Sequence, residues 1–447
     1  MSGPTLFFKT ALMFLLLCLQ SVCAYTALAD SNLTDEDFRS SNTDQAELGR
    51  LLFYDKILSG NRNISCGTCH HPRHGTTDGL SLGIGEGGEG LGPDRTSGSG
   101  SSRIQRRVPR NAPALWNLGA KEIDTLMHDG RISKNNIYGN GFNTPAQEWL
   151  PQGLDSVLAA QALFPLTSET EMAGSNEENE VAGAANDRID NAWPIIAKRV
   201  RIIPDYANKF INAFDSVDTA AQINITHIAN SLAAFIETEF RSTDSPYDRW
   251  LNGDNKALTT QQQRGYDLFT KKAQCQRCHT GALFSNHGFK ALALPAFGPG
   301  RTRAFDPIPR DTGRMGESDN LSDAYRFRVP MLRNVTLTAP YGHNGAYPTL
   351  TAMINHHLNP LESRANWSVK QARLPDAEWL TAVDFIIRED KLEMQRQAAK
   401  VDISLPLLNS DEIGDLIAFL HALTGDKAKA RDFYIPTGVP SGLTIDK

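Results

Sequence analysis

The chain has almost no cysteine to spare. There are six in 447 residues, and Cys18 and Cys23 fall in an N-terminal apolar segment. The remaining four stand as two Cys-x-x-Cys pairs, so a framework of disulfides has nothing to build with. Long apolar runs are equally scarce. Only Ala11–Leu19 stands out, and it is too short to span a bilayer comfortably. Basic residues do not dominate: 45 Lys and Arg face 51 Asp and Glu, a formal net charge of -6. That balance argues against a nucleic-acid surface, and the short run Arg103–Arg110 reads as a solvated loop. Few stretches are rich in β-branched residues, which argues against a sheet-based fold.

The apolar run does suit the core of a secretory signal. Lys9 precedes it and the small residues Ala27-Leu28-Ala29 follow, so cleavage is expected after Ala29, with Ala24 as the second choice. An uncleaved anchor is the alternative reading. The expectation is an exported, periplasmic protein with no membrane span after cleavage.

What is present is concentrated in two pentads, Cys66-Gly67-Thr68-Cys69-His70 and Cys275-Gln276-Arg277-Cys278-His279. Two thiols so spaced can add to the two vinyl groups of one haem. The next residue, a histidine, then supplies a nitrogen to the iron. Zinc held by two Cys-x-x-Cys pairs is the competing reading, but it leaves the histidine after each pair unexplained. The pentads therefore predict two covalently attached c-type haems, ligated by His70 and His279. The protein tunes such an iron through its sixth ligand, hydrogen bonds and solvent access.

Each pentad follows a similar helix end, Gly49-Arg50-Leu51-Leu52-Phe53 and Gly265-Tyr266-Asp267-Leu268-Phe269. This internal repeat predicts two cytochrome-c-like domains, over 30–245 and 246–447 after a signal peptide over 1–29. Helical periodicity also marks Gly153–Phe164, Ala192–Val200, Ile225–Phe240, Gln261–Thr270, Thr349–Asn359, Asp376–Ile387 and Asp411–Leu423. The expected fold is mainly α, with long loops wrapping haem. Gly83-x-Gly85-x-x-Gly88 matches a dinucleotide fingerprint by letter, yet neither strand nor helix flanks it. A flexible loop near the first haem is the better reading.

Further motifs carry a family resemblance. They are Leu48-Gly49-Arg50-Leu51-Leu52-Phe53, Ser65 before the first pentad, Arg110-Asn111-Ala112-Pro113, Asp129-Gly130-Arg131 and Glu171-Met172. Val329-Pro330-Met331-Leu332-Arg333-Asn334-Val335 and Thr338-Ala339-Pro340-Tyr341-Gly342-His343-Asn344-Gly345 complete the set. In order and spacing the chain resembles the bacterial di-haem cytochrome c peroxidase and MauG superfamily. The resemblance implies that hydrogen peroxide reacts at the N-terminal haem and that the C-terminal haem handles electrons. It implies a peroxide-site pair in Gln161 and Glu171, ten residues apart with Pro165 between them. A carboxylate there can relay the proton that O–O cleavage moves from one oxygen to the other, while the amide orients the peroxide. It also implies a calcium ion between the haem domains, on Asn111 and the carbonyls of Thr338 and Pro340, a donor set suited to a hard cation.

Three positions depart from the family pattern. The distal histidine expected sixteen residues after His70 is Glu86, so the first haem is expected to be open from the start. The sixth ligand of the second haem, a Met in the peroxidases and a Tyr in MauG, falls on His357. Leu350, Met353, Ile354 and His357 share one apolar stripe, and His356 is turned about 100° away. His128 stands where the family has a Trp between the haems, which leaves Trp116 or Trp149 as substitutes. The expected activity is a peroxidase drawing electrons from a small cytochrome c or cupredoxin. The alternatives are a MauG-like enzyme that oxidises residues such as tryptophan on a partner protein, and a non-catalytic electron-transfer cytochrome. The resemblance allows a homodimer, and the sequence does not fix the oligomeric state.

Overall fold

The computed structural model describes residues 32–301, 310–430 and 434–447. The expected signal peptide, 1–29, lies outside them. Among the described residues the chain is mainly helical, with one three-stranded and one two-stranded sheet, both very small. No described helix is long and apolar enough to cross a membrane.

The first half carries helices α1 (Thr43–Tyr54), α2 (Val157–Ala162), α3 (Ile189–Arg201) and α4 (Ile225–Glu239). The second carries α5 (Thr260–Thr270), α6 (Leu350–Leu358) and α7 (Ser410–Ala422). Their starts follow from side-chain caps that satisfy the first free amides. Asn42 accepts the amides of Asp44 and Gln45 at 2.8 and 3.2 Å, and Asn409 accepts that of Glu412 at 2.9 Å. Helix α2 begins four residues later than its periodicity suggests because Ser156 caps it, while Gly153 turns at a φ of +84°.

The Gly-x-x-Leu-Phe repeat is a packing device. A Cβ on Gly49 of α1 would stand 1.8 Å from the Ser231 carbonyl oxygen of α4, and one on Gly265 of α5 would stand 2.0 Å from that of Asp415 in α7. In both crossings the next neighbour is a phenylalanine four residues on, Phe235 or Phe419. The backbones therefore touch, and no side chain can swing away to make room. Gly49→Ala and Gly265→Ala should each cost about 1–3 kcal/mol through overpacking. The check is the denaturant midpoint of the haem-loaded protein, which should fall with an unchanged slope.

Each crossing has its own buried core. One gathers Leu52, Phe53, Trp116 and Phe235 and takes in Leu283, Ala428 and Tyr434 from the second half; the other gathers Tyr247, Phe269, Phe284 and Phe419. The C-terminal residues return to the first core. Ser441 donates to Asp55 at 2.6 Å, Asp446 pairs with Lys56 at 2.6 Å, and Thr68 of the first pentad donates to Asp446 at 2.5 Å.

Strands β1 (Thr125–Leu126), β2 (Ile132–Lys134) and β3 (Phe142–Asn143) pair antiparallel in that order. Strands β4 (Phe289–Lys290) and β5 (Phe327–Arg328) pair with Phe289 opposite Arg328. The stretch 376–387 is helical from Glu378 on, as three contiguous segments, Glu378–Leu380, Thr381–Phe385 and Ile386–Glu389. There Asp384 is buried and bonds Arg107 at 2.9 Å. The glycine-rich loop is pinned, not loose. Buried Arg95 donates to the carbonyls of Ile84, Gly85 and Gly90 at 2.7, 2.8 and 2.7 Å.

Candidate haem sites

The first pentad opens with a single helical turn, Cys66–Cys69, in which Thr68 Oγ1 accepts the Ser65 amide at 3.0 Å. Gly67 is required locally, because a Cβ there would meet the Tyr54 ring at 2.5 Å. The turn delivers His70 with Nδ1–H donating to the Thr76 carbonyl at 3.0 Å, and the Pro113 carbonyl also faces the ring. That bond fixes the tautomer and leaves Nε2 as the free lone pair. The second pentad repeats the arrangement. His279 Nδ1–H donates to the Phe284 carbonyl at 3.1 Å, and the Pro330 carbonyl faces it. Burial lowers the pKa of both rings, that of His279 to about 4, where the nearness of His357 adds to the effect. Both imidazoles are thus held in the neutral form a metal needs. Burial pushes the thiols of Cys66, Cys69 and Cys275 up to about 12, so they rest protonated.

Both histidines open into one cavity of about 750 Å³. Its wall includes His70, Gln161 and Trp116 from the first half and Cys275, Cys278, His279 and His357 from the second. Much of the remainder is apolar, including Leu294, Met331, Leu350, Met353 and Ile354. At the second pentad paired thiols, a neutral imidazole with one nitrogen tied down and an apolar chamber fit a covalently held haem; the first pentad brings His70 to the same chamber, with Cys66 and Cys69 outside its lining. The zinc alternative has no matching geometry: among the described residues no three His, Cys, Asp or Glu side chains converge on one point.

Helix α6 supplies the second imidazole beside His279. Leu350, Met353, Ile354 and His357 all face the cavity, as their spacing predicts. His357 Nδ1–H donates to the Met353 carbonyl at 2.9 Å, again leaving Nε2. His356 points elsewhere and is fully engaged, with Tyr347 Oη at 2.9 Å and the Leu292 carbonyl at 2.8 Å.

Gln161 lies at the end of α2 and faces the cavity. The chain then turns at Pro165 and enters a π turn, Glu169–Ala173, which carries Glu171. Such turns often mark functional positions. Glu171 does not line the same cavity as Gln161; it stands near Cys69, Arg131 and Arg301. Burial raises the pKa of its carboxyl, and the two arginines offset part of that rise. Its turn is closed by the glycine-rich loop. The Glu86 amide donates to the Glu171 carbonyl at 3.0 Å, and a Cβ on Gly85 would stand 2.1 Å from the Thr170 carbonyl oxygen.

Asn61 and Asn63 both donate to Glu86 Oε1, at 2.9 and 2.7 Å. Asn111, Thr338 and Pro340 all line the cavity. The Asn111 amide N–H donates to the Leu80 carbonyl at 2.7 Å, which turns the N–H side away and leaves Oδ1 as its acceptor. Trp116 is buried and donates to the Gly75 carbonyl at 3.0 Å. Trp149 is 47% exposed, stacks under Arg188 and does not line the cavity.

The sequence reading assigned no role to the ion cluster that surrounds these parts. Asp129 bonds Arg110 at 2.7 Å, Arg131 at 3.0 Å and Arg301 at 3.4 Å, and Arg110 also reaches Asp311 at 2.6 Å. The three guanidinium groups hold the Asp129 carboxyl well below the usual range, against the effect of its burial. The Asp129-Gly130-Arg131 motif was the visible signal, but its partners at 301 and 311 are distant in sequence.

The helical fold and the two pentads are those of a c-type haem protein, with His70 and His279 opening onto one chamber. Residues 43–256 match the family model described as "Di-haem cytochrome c peroxidase". The chain is 28% identical to the methylamine utilization protein MauG of Methylorubrum extorquens over 73% of its length and 71% of that protein's. It is also 28% identical to a cytochrome c551 peroxidase of Nitrosomonas europaea, over 90% and 85% of the two chains. A solved MauG-like protein associated with microbial copper homeostasis superposes with a TM-score of 0.59 at 27% identity, covering 91% of this chain and 96% of that one. These likenesses support the di-haem cytochrome c peroxidase and MauG superfamily, whose members are oxidoreductases, and that family implies two haem c groups.

Proposed function

We propose that the protein is a periplasmic di-haem c-type peroxidase that reduces hydrogen peroxide to water, taking two electrons and two protons per peroxide. The observation that carries this is the shared cavity, onto which both His70 and His279 open. When bound, the haem at each pentad supplies an iron able to take up peroxide or to pass single electrons. The chain's own residues do the rest. In this reading Gln161 orients the peroxide beside His70, and the Glu171 carboxylate takes a proton from one oxygen and returns it to the other. His279 and His357 clamp the second site, which receives electrons from a small cytochrome c or cupredoxin. The first haem domain spans 30–245 and the second 246–447. A calcium ion on Asn111 Oδ1 and the Thr338 and Pro340 carbonyls braces the wall between them, a donor set typical of a hard cation.

His357 favours a second reading. An imidazole in place of Met lowers the potential of the second haem, which disfavours an ordinary cytochrome donor. A MauG-like oxidation of tryptophan on a partner protein then becomes the natural use of the oxidising equivalents. The likeness to the copper-associated MauG-like protein points the same way.

The test is the resting ferric holoprotein. Electron paramagnetic resonance should show one high-spin and one low-spin haem, and peroxide should change the spectrum without prior reduction. Two low-spin centres, or reactivity only after half-reduction, would reveal a ligand on the first haem and overturn this reading. Turnover with reduced cytochrome c against turnover with candidate protein substrates separates the two variants.

A further inference from the structure

We propose that electrons pass between the two haem sites through the stacked rings of Phe327 and His343. The proposal rests on the di-haem reading above and adds to it the route inside the protein. Two segments contact the two proximal histidines: the one ending in Pro113 faces His70, and the one ending in Pro330 faces His279. Phe327 belongs to the second of these segments, three residues before Pro330. His343 is bonded to the first, since its carbonyl accepts the Asn111 amide at 3.0 Å. Where the two segments meet, the rings lie face to face, with centroids 3.6 Å apart and planes 8° from parallel. That is direct van der Waals contact, and both rings line the shared cavity.

Aromatic pairs do not choose so parallel a geometry unaided; offset or edge-on arrangements are preferred. Here the surroundings impose it. Phe327 is fixed by the β4–β5 pairing and by the Arg110 guanidinium 5.4 Å above its ring. Arg110 is itself locked by Asp129 and Asp311. The Arg328 amide donates to the His128 carbonyl at 2.7 Å, so β5 is also tied to the first half. His343 Nδ1 is buried without a hydrogen-bond partner, which means packing rather than polar contact places the ring. Trp116, the obvious rival, turns its ring edge to Phe240 in the first core, at 5.6 Å and 73°. The step is a plain transfer: one electron leaves the iron on His279 and arrives at the iron on His70, with no bond or proton moved.

The experiment uses the ferric holoprotein with no peroxide. Pulse radiolysis delivers less than one electron per molecule, and its redistribution between the haems is followed by their separate absorption bands. His343→Leu and Phe327→Leu should slow redistribution at least about tenfold, which is about 1.4 kcal/mol of activation. The resonance spectra and midpoint potentials of both haems should stay as in the parent. His343→Phe keeps a flat ring and should restore most of the rate even if a leucine variant folds poorly. An unchanged rate in His343→Leu overturns the proposal, and so does an equal slowing by Trp116→Phe. Because the assay contains no peroxide, absence of peroxide turnover would count against the peroxidase reading alone.

Discussion

Glu171→Gln should lower kcat for peroxide consumption by about 10²–10⁴-fold, the usual contribution of a positioned proton-transfer group. Both haems should remain attached, because Glu171 touches neither proximal histidine through any hydrogen bond in the structure. The argument combines position and charge. The π turn and the glycine-rich loop hold the residue from both sides, and its backbone carbonyl is already occupied by the Glu86 amide at 3.0 Å. The substitution therefore leaves the turn intact and removes only the titrating group. A relay that works in the transition state should lower kcat and kcat/KM together. Burial raises the pKa of the carboxyl, so its basic form is reached only above the ordinary glutamate range. The acid limb of kcat/KM should accordingly lie above that range in the parent and vanish in the variant. Stopped-flow rates across pH provide the check. An unchanged rate and profile would reduce Glu171 to a member of the turn, and its position outside the cavity that Gln161 lines would then be the reason.

The geometry of the two pentads was legible in the sequence because it is local. Five consecutive residues set the thiols and the imidazole, and one helical turn delivers them. The cavity-facing placement of His357 was legible for the same reason, since a stripe at i, i+3, i+4 and i+7 is a property of α6 alone. Its neighbour shows the limit of such reasoning. The pattern could say that His356 faces away, but the Tyr347 and Leu292 contacts that occupy it come from separate segments. The glycine-rich loop was misjudged as flexible because Arg95 anchors it through backbone carbonyls, which carry no residue signature. The helical stretch near 376–387 was legible, whereas its buried ion pair from Asp384 to Arg107, 277 residues away, was not. The glycines at 49 and 265 were recognised as a repeat, whereas their cause, backbone contact with Ser231 and Asp415, required the paired helices to be in place.

His357→Ala should abolish the low-spin signature of the second haem, and His357→Met should keep it low-spin while raising its potential. Axial ligands command a range of roughly 0.8 V, and imidazole lies on the low side of thioether within it. The structure makes the substitution clean. His357 bonds only the Met353 carbonyl within its own helix, so its removal leaves α6 capped by Thr349 and packed through Leu350 and Ile354. His356 cannot take its place, because both of its nitrogens are engaged and it is buried on another face. A higher potential should make the second site a better acceptor from reduced cytochrome c. Turnover with that donor should rise in His357→Met, while oxidation of a partner protein should fall, since the second haem would then share an oxidising equivalent less readily. Potentiometric titration, resonance spectra and the two turnover assays read these effects independently. If His357→Ala keeps its low-spin spectrum, another side chain on the cavity wall ligates the iron, with Met353, Met331 and His343 the candidates. The preference for protein oxidation over simple peroxide reduction would lose its physical basis with it.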